Sequence, residues 1–142
     1  MQHPDLTTLP AAQLTSHQPP ALLVERIIAV RPDGGRVRVA EHGELDALQL
    51  IEASAQSLAV LMGARLRQGT AGSQARASGM LVGAKGFAIQ RGAAAGERVD
   101  IDAVLDCEFG PLQLYRLTIH AGEALEVIGA GELKVASVAG NP

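Results

Sequence analysis

The sequence predicts an α+β domain in which one long central helix is wrapped by a curved antiparallel sheet. Three observations carry that prediction. Residues 47–67 contain no proline, few β-branched residues and apolar residues on nearly every side, the pattern of a buried helix. Much of the sequence from Met80 onward alternates apolar and polar residues with period two between turn residues, the pattern of successive strands. At 142 residues the chain suits one core and not two, so helix and strands must bury each other. With 47% hydrophobic and 19% charged residues, a packed domain is expected rather than disorder.

The elements come in order within a single domain, residues 1–142. Residues 1–14 read as a leader with a short helical turn at Ala11–Leu14. In Ser16-His17-Gln18-Pro19-Pro20 the two prolines fix an extended approach to the first strand. Ala21–Val24 and Ile27–Val30 form that strand, broken by the charged pair Glu25-Arg26. Arg31-Pro32-Asp33-Gly34-Gly35 is a turn, and Arg36–Val39 returns as a half-exposed strand. Asp46, with Gln49 three residues on, has capping-box spacing and opens the helix; Gly69 and Gly72 stop it. After a loose Gly/Ser/Ala stretch at 70–78 come strands at Met80–Ile89, Val99–Cys107, Leu114–His120 and Leu125–Val138, with Gly129 and Gly131 marking a bend or bulge. A helix apolar all round needs a sheet curved about it, which is the hot dog arrangement. Such a sheet leaves edges, so at least a dimer is expected.

Composition excludes several functions. The net charge of -3, with one Tyr, two Phe and no Trp, gives neither the basic footprint nor the stacking platform of a nucleic-acid binder. The single cysteine, Cys107, forms no intrachain disulfide and reads as a small core residue at a strand end. Met1–Pro20 lacks the basic start and apolar run of a signal peptide, and no run reads as a membrane span, so a cytoplasmic protein is expected. Gly129-Ala130-Gly131 comes too near the chain's end to open a dinucleotide site. The four His lack metal-ligand spacing, and Asp100, Asp102 and Asp106 read as a solvated strand face. No cofactor and no metal are expected.

The informative anomaly is Glu52, in the second turn of the apolar helix, with Gln49 and Gln56 on the same stripe. Burying a carboxylate is costly unless it is paired or its pKa rises. One reading makes Glu52 a desolvated acid facing a cleft. The other leaves the stripe in solvent or pairs Glu52 with Arg26 or Lys85. His17, in the proline-stiffened segment, and His42, in the loop feeding the helix, are the candidate bases, because imidazole exchanges protons near neutrality.

Three segments, in order, resemble the FabZ-type 3-hydroxyacyl-acyl-carrier-protein dehydratases, which are hot dog proteins. Residues 16–26, SHQPPALLVER, are similar to that family's L-P-H-R-x-P-F-L-L-V-D-R opening. Glu52-Ala53-Ser54-Ala55-Gln56 resembles its E-A-M-A-Q on the central helix, and Gly83-Ala84-Lys85-Gly86-Phe87 its G-I-D-K-x-R-F strand. The family's H-F-P-G-x-P-x-x-P-G stretch, which carries its catalytic His, is absent. In its place stands the shorter Glu41–Leu48, closer to the aryl-polyene, ApeP-like branch.

The resemblance implies dehydration of a 3-hydroxyacyl thioester to a trans-2-enoyl thioester in fatty-acid or aryl-polyene-type biosynthesis. Glu52 takes the family's acidic position; His17 is the base, with His42 the alternative. Gln49, Gln56 and Gly83 are the substrate-binding candidates, with Gln56 holding either Glu52 or the leaving hydroxyl in place. Backbone N–H groups near Leu48–Leu50 would polarise the thioester carbonyl. The thioester is carried by acyl carrier protein or coenzyme A. The chain acts as a homodimer or higher homo-oligomer, or as a heterodimer with another hot dog dehydratase. A hot dog thioesterase, a non-catalytic partner subunit and an acyl-binding module are the alternatives.

Overall fold

The computed structural model describes residues 5–14, 21–69 and 79–137. The strands are β1 (Val24–Arg31), β2 (Gly34–Val39), β3 (Gly79–Ile89), β4 (Val99–Phe109), β5 (Leu112–Ala121) and β6 (Glu126–Ser137), with one helix, α1 (Ala47–Gly69). The six strands form one antiparallel sheet in the order β1-β2-β4-β5-β6-β3. It curves over α1, which packs against β1 to β5. This is the hot dog fold.

Several elements differ from the sequence expectation. The first strand is not broken at Glu25-Arg26. It runs on through irregular register between Val24 and Ala29, which absorbs the charged pair. The turn after it is tighter than composition suggested, because β2 already begins at Gly34. The last strand has its irregularity opposite Ile119/His120, beside Gly129. Gly129 and Gly131 have a packing reason: a Cβ would stand 2.6 Å from Ile89 Cδ1 at the first and 2.4 Å from the Phe87 ring at the second. Both glycines leave room for side chains of β3.

The leader belongs to the core. Two 3-10 turns, Leu6–Thr8 and Ala11–Gln13, bury Leu6, Ala11 and Leu14. Leu14 sits so close to α1 that only glycine fits at position 63. Cys107, by contrast, is half-buried rather than core.

Residues 47–65 are, by length and composition alone, apolar enough to cross a membrane, against the sequence expectation. Here they form the core helix. Leu50, Ala53, Ser54, Ser57, Leu58, Val60, Leu61 and Ala64 are all buried. Ser54 and Ser57 satisfy their hydroxyls on the carbonyls of Leu50 and Ala53, at 2.9 and 2.8 Å.

The aspartate row is solvated only in part: Asp106 is exposed, as expected, but Asp100 is not. Asp100 is fully buried, and Asp100 and Asp102 lie opposite Arg38 and Arg36 in the β2–β4 register. Arg38 Nε and Arg98 Nη2 reach the Asp100 carboxylate at 3.0 and 2.9 Å. Burial pushes that carboxyl up, but the two guanidinium hydrogen bonds outweigh it and hold Asp100 below the usual carboxylate range. Asp102 pairs with Arg31 at 2.9 Å, and Asp106 with Arg116 at 3.3 Å.

Candidate active site

The capping box forms as its spacing predicts. Gln49 N–H donates to Asp46 Oδ1 at 2.8 Å, and Asp46 N–H to Gln49 Oε1 at 2.9 Å. Leu50 N–H also bonds Asp46 O, at 3.0 Å. These bonds correct the expected carbonyl-polarising group. Of Leu48, Gln49 and Leu50, only Leu48 has an N–H not used in this way.

The loop before α1 is tied to the loop after β3. Leu45 and Ala93 exchange N–H···O bonds at 3.0 and 2.9 Å, and Gly96 N–H donates to His42 O at 2.9 Å. A cleft of about 470 Å³ lies at this junction, between residues 44–46 with Gln49 and residues 91–94. Arg91 braces it by reaching Glu97 and Glu126, both at 2.9 Å. That guanidinium, followed by the Ala94 N–H, lowers the Glu97 carboxyl to about 2. Sequence reasoning missed Arg91, because one of its partners, Glu126, opens the distant strand β6.

Glu52 stands elsewhere on the helix surface. The helix is not buried all round. Leu48 (78% exposed), Glu52, Ala55, Ala59 and Met62, spaced four, three, four and three residues apart, form one open or half-covered stripe. Glu52 is exposed in the single chain, so this chain alone does not supply the expected desolvation. Among the described residues it pairs with neither Arg26 nor Lys85; its carboxylate accepts from Gln56 Nε2 at 3.1 Å. Gln56 is 1% exposed and also bonds the backbone of Leu23 and Ala21. Position 56 was visible in the sequence as a polar anomaly, but its backbone partners, over 30 residues away, carried no signal.

His17 lies outside the described residues, as does the 70–78 stretch. The chain on either side of His17 is held against α1, by Leu14 at Gly63 and by Ala21 and Leu23 at Gln56. His42 Nε2 lies 2.8 Å from Glu97 O, and its Nδ1 contacts Gly43 O. Both ring nitrogens of His42 thus face backbone carbonyl oxygens of its own loop region. Gly83 lies on the edge strand β3, where a Cβ would meet nothing within 4 Å among the described residues.

The family pattern of the ApeP-like proteins, the ApeP dehydratases, matches residues 9–139. The chain belongs to the ApeP dehydratase family. A dehydratase role therefore stands for this hot dog domain. Among solved structures, it is similar to a chain of the dehydratase heterocomplex ApeI:P from Xenorhabdus doucetiae, with 22% identity over 92% of this chain and 91% of that one and a TM-score of 0.79. The TT0310 protein of Thermus thermophilus has 15% identity, a TM-score of 0.61 and coverage of 83% and 94%. The E. coli PaaI protein of the phenylacetic acid degradation operon has 15% identity, a TM-score of 0.62 and coverage of 85% and 83%. At such identities the likeness is one of fold. No curated protein matches the sequence.

Proposed function

We propose that this ApeP-family dehydratase converts a 3-hydroxyacyl thioester on acyl carrier protein to the trans-2-enoyl thioester and water, in the cytoplasm, in fatty-acid or aryl-polyene-type biosynthesis. Glu52, on the open stripe of α1, is the general acid that protonates the leaving hydroxyl. His17 removes the proton next to the thioester carbonyl; the anchoring of the chain on both sides of it against the same helix supports this choice over His42. The acyl chain runs along the small residues Ala55 and Ala59. A second hot dog chain, either another copy or a different dehydratase, covers the stripe and supplies the desolvation that Glu52 lacks alone.

The observation that carries the reading is the family match together with a carboxylate on an exposed stripe of the central helix. The test is conversion of a short 3-hydroxyacyl thioester, monitored by enoyl absorbance and by free thiol. A positioned acid contributes about 10²- to 10⁴-fold, so Glu52→Gln should lose that much enoyl formation. Thiol release without enoyl product would move the protein to the thioesterases. Activity that appears only with a second hot dog chain would assign the assembly as hetero-oligomeric.

A further inference from the structure

The face of the sheet turned away from α1 carries an apolar patch beside the β4–β5 hairpin. Along β5 the buried residues Tyr115, Leu117 and Ile119 face the core, so Leu112 and Leu114 point the other way. Directly opposite Leu114 stand Cys107 on β4 and Lys134 on β6; directly opposite Leu112 stand Phe109 and Ala136. Partners in antiparallel register share a face, so these positions make two adjacent rows. Phe109 is 69% exposed, and Cys107, Leu112, Leu114 and Ala136 are half-buried. None of them belongs to the buried core or packs against it. Asp106 and Lys134, both exposed, flank the patch on its β4 and β6 sides. Arg116, next along β5 on this face, ends the patch, and Asp106 meets its charge at 3.3 Å. Exposed apolar residues scattered singly are ordinary, but a contiguous set rimmed by charge marks a contact surface.

The arrangement is self-complementary. A second copy turned over about an axis running along β5 lays β4 of each chain over β6 of the other. Phe109, the largest side chain of the patch, then falls over Ala136, the smallest. Asp106 falls beside Lys134, and Leu112 and Leu114 meet their own counterparts. The two-fold axis makes each unlike contact occur twice. An axis running across the strands would instead bring β4 over β4, acid near acid and lysine near lysine. We propose that this patch docks a second copy of the chain, sheet against sheet, with the two-fold axis along β5. The contact lies on the other side of the sheet from the Glu52 stripe and is independent of the dehydratase reading. It doubles the assembly that closes over α1. A standard interface uses about 20–30 residues a side, so this smaller one forms reversibly.

The test is sedimentation velocity on the full chain, with its partner dehydratase if it has one, from about 1 to about 300 μM, the range that reads a micromolar Kd. The mass of the assembly should double across that range. Phe109→Ser should abolish the doubling. Asp106→Lys and Lys134→Asp should each weaken it at least about tenfold, because like charges then meet at both ends of the contact. An equimolar mixture of those two variants should restore it to within about threefold, because each chain then meets the opposite charge on the other. All three positions are exposed, and an exposed ion pair such as Asp106–Arg116 adds little to stability, so the variants keep the fold. No doubling in the wild type would overturn the proposal, as would doubling that Phe109→Ser leaves intact. Charge variants that fail to rescue each other would refute the two-fold pairing. Doubling seen only after removal of residues 138–142 would also overturn it, by giving the patch to the chain's own C-terminus.

Discussion

Replacing Gly63 by alanine tests whether the leader is structural. In an ordinary helix interior this change stabilises by about 1 kcal/mol. Here the new Cβ would stand 1.8 Å from Leu14 O and 2.8 Å from Leu14 C. Backbone cannot yield as a flexible side-chain end would, so the leader must lift. Leu6 and Leu14 are buried beneath it at 5% and 0% exposure. Re-exposing each costs about 1.5–3 kcal/mol, or about 3–6 kcal/mol for both if the leader leaves completely. Against the helix-propensity gain, the net loss is about 2–5 kcal/mol. For a domain of this size each kcal/mol lowers Tm by about 2–4 °C, so a fall of about 5–15 °C is expected. Thermal melts should show it, and limited proteolysis should open new cleavage between residues 5 and 14. Gly43→Ala, where a Cβ meets nothing within 4 Å, is the control and should change stability by less than about 0.5 kcal/mol. A Gly63→Ala protein that melts at or above the wild-type temperature, with an intact leader, would refute the reasoning. On the proposed mechanism the same variant loses turnover, because the chain beyond Leu14 leads to His17.

Two other sites give predictions of known sign. Asp100 is held below the usual carboxylate range when folded, so its pairs with Arg38 and Arg98 contribute stability above a pH of about 4, and that contribution disappears as pH falls through the lower folded value. Asp100→Asn should cost about 3 kcal/mol at neutral pH and make the loss of stability shallower between about pH 5 and about pH 2, read from urea titrations. At the helix start, Asp46→Ala should cost about 1 kcal/mol by denaturant midpoint, and Gln49→Ala less; Gln49→Ala should leave KM unchanged if its role is the cap alone.

Local periodicity and chain length were enough to place the helix, its Asp46–Gln49 cap, the inward rows of β4 and β5, and the hot dog arrangement, because these depend on residues near in sequence. Glu52 and Gln56 also stood out locally, as polar residues in an apolar helix. What they touch did not. Burial of Asp100 required Arg38 from β2, which only strand register brings opposite. Local pattern showed a leader with a short helical turn, but not that it docks on the helix, because Leu14 and Gly63 are far apart in the chain. Two helix-start amides looked free for a carbonyl, yet Asp46 takes both. Composition also made α1 look apolar on every side, whereas the tertiary structure decided that the face holding Glu52 stays uncovered in a single chain. The physical reason is that period and propensity are read along the backbone, while burial and hydrogen-bond partnership are set by whichever distant segment arrives to fill the space.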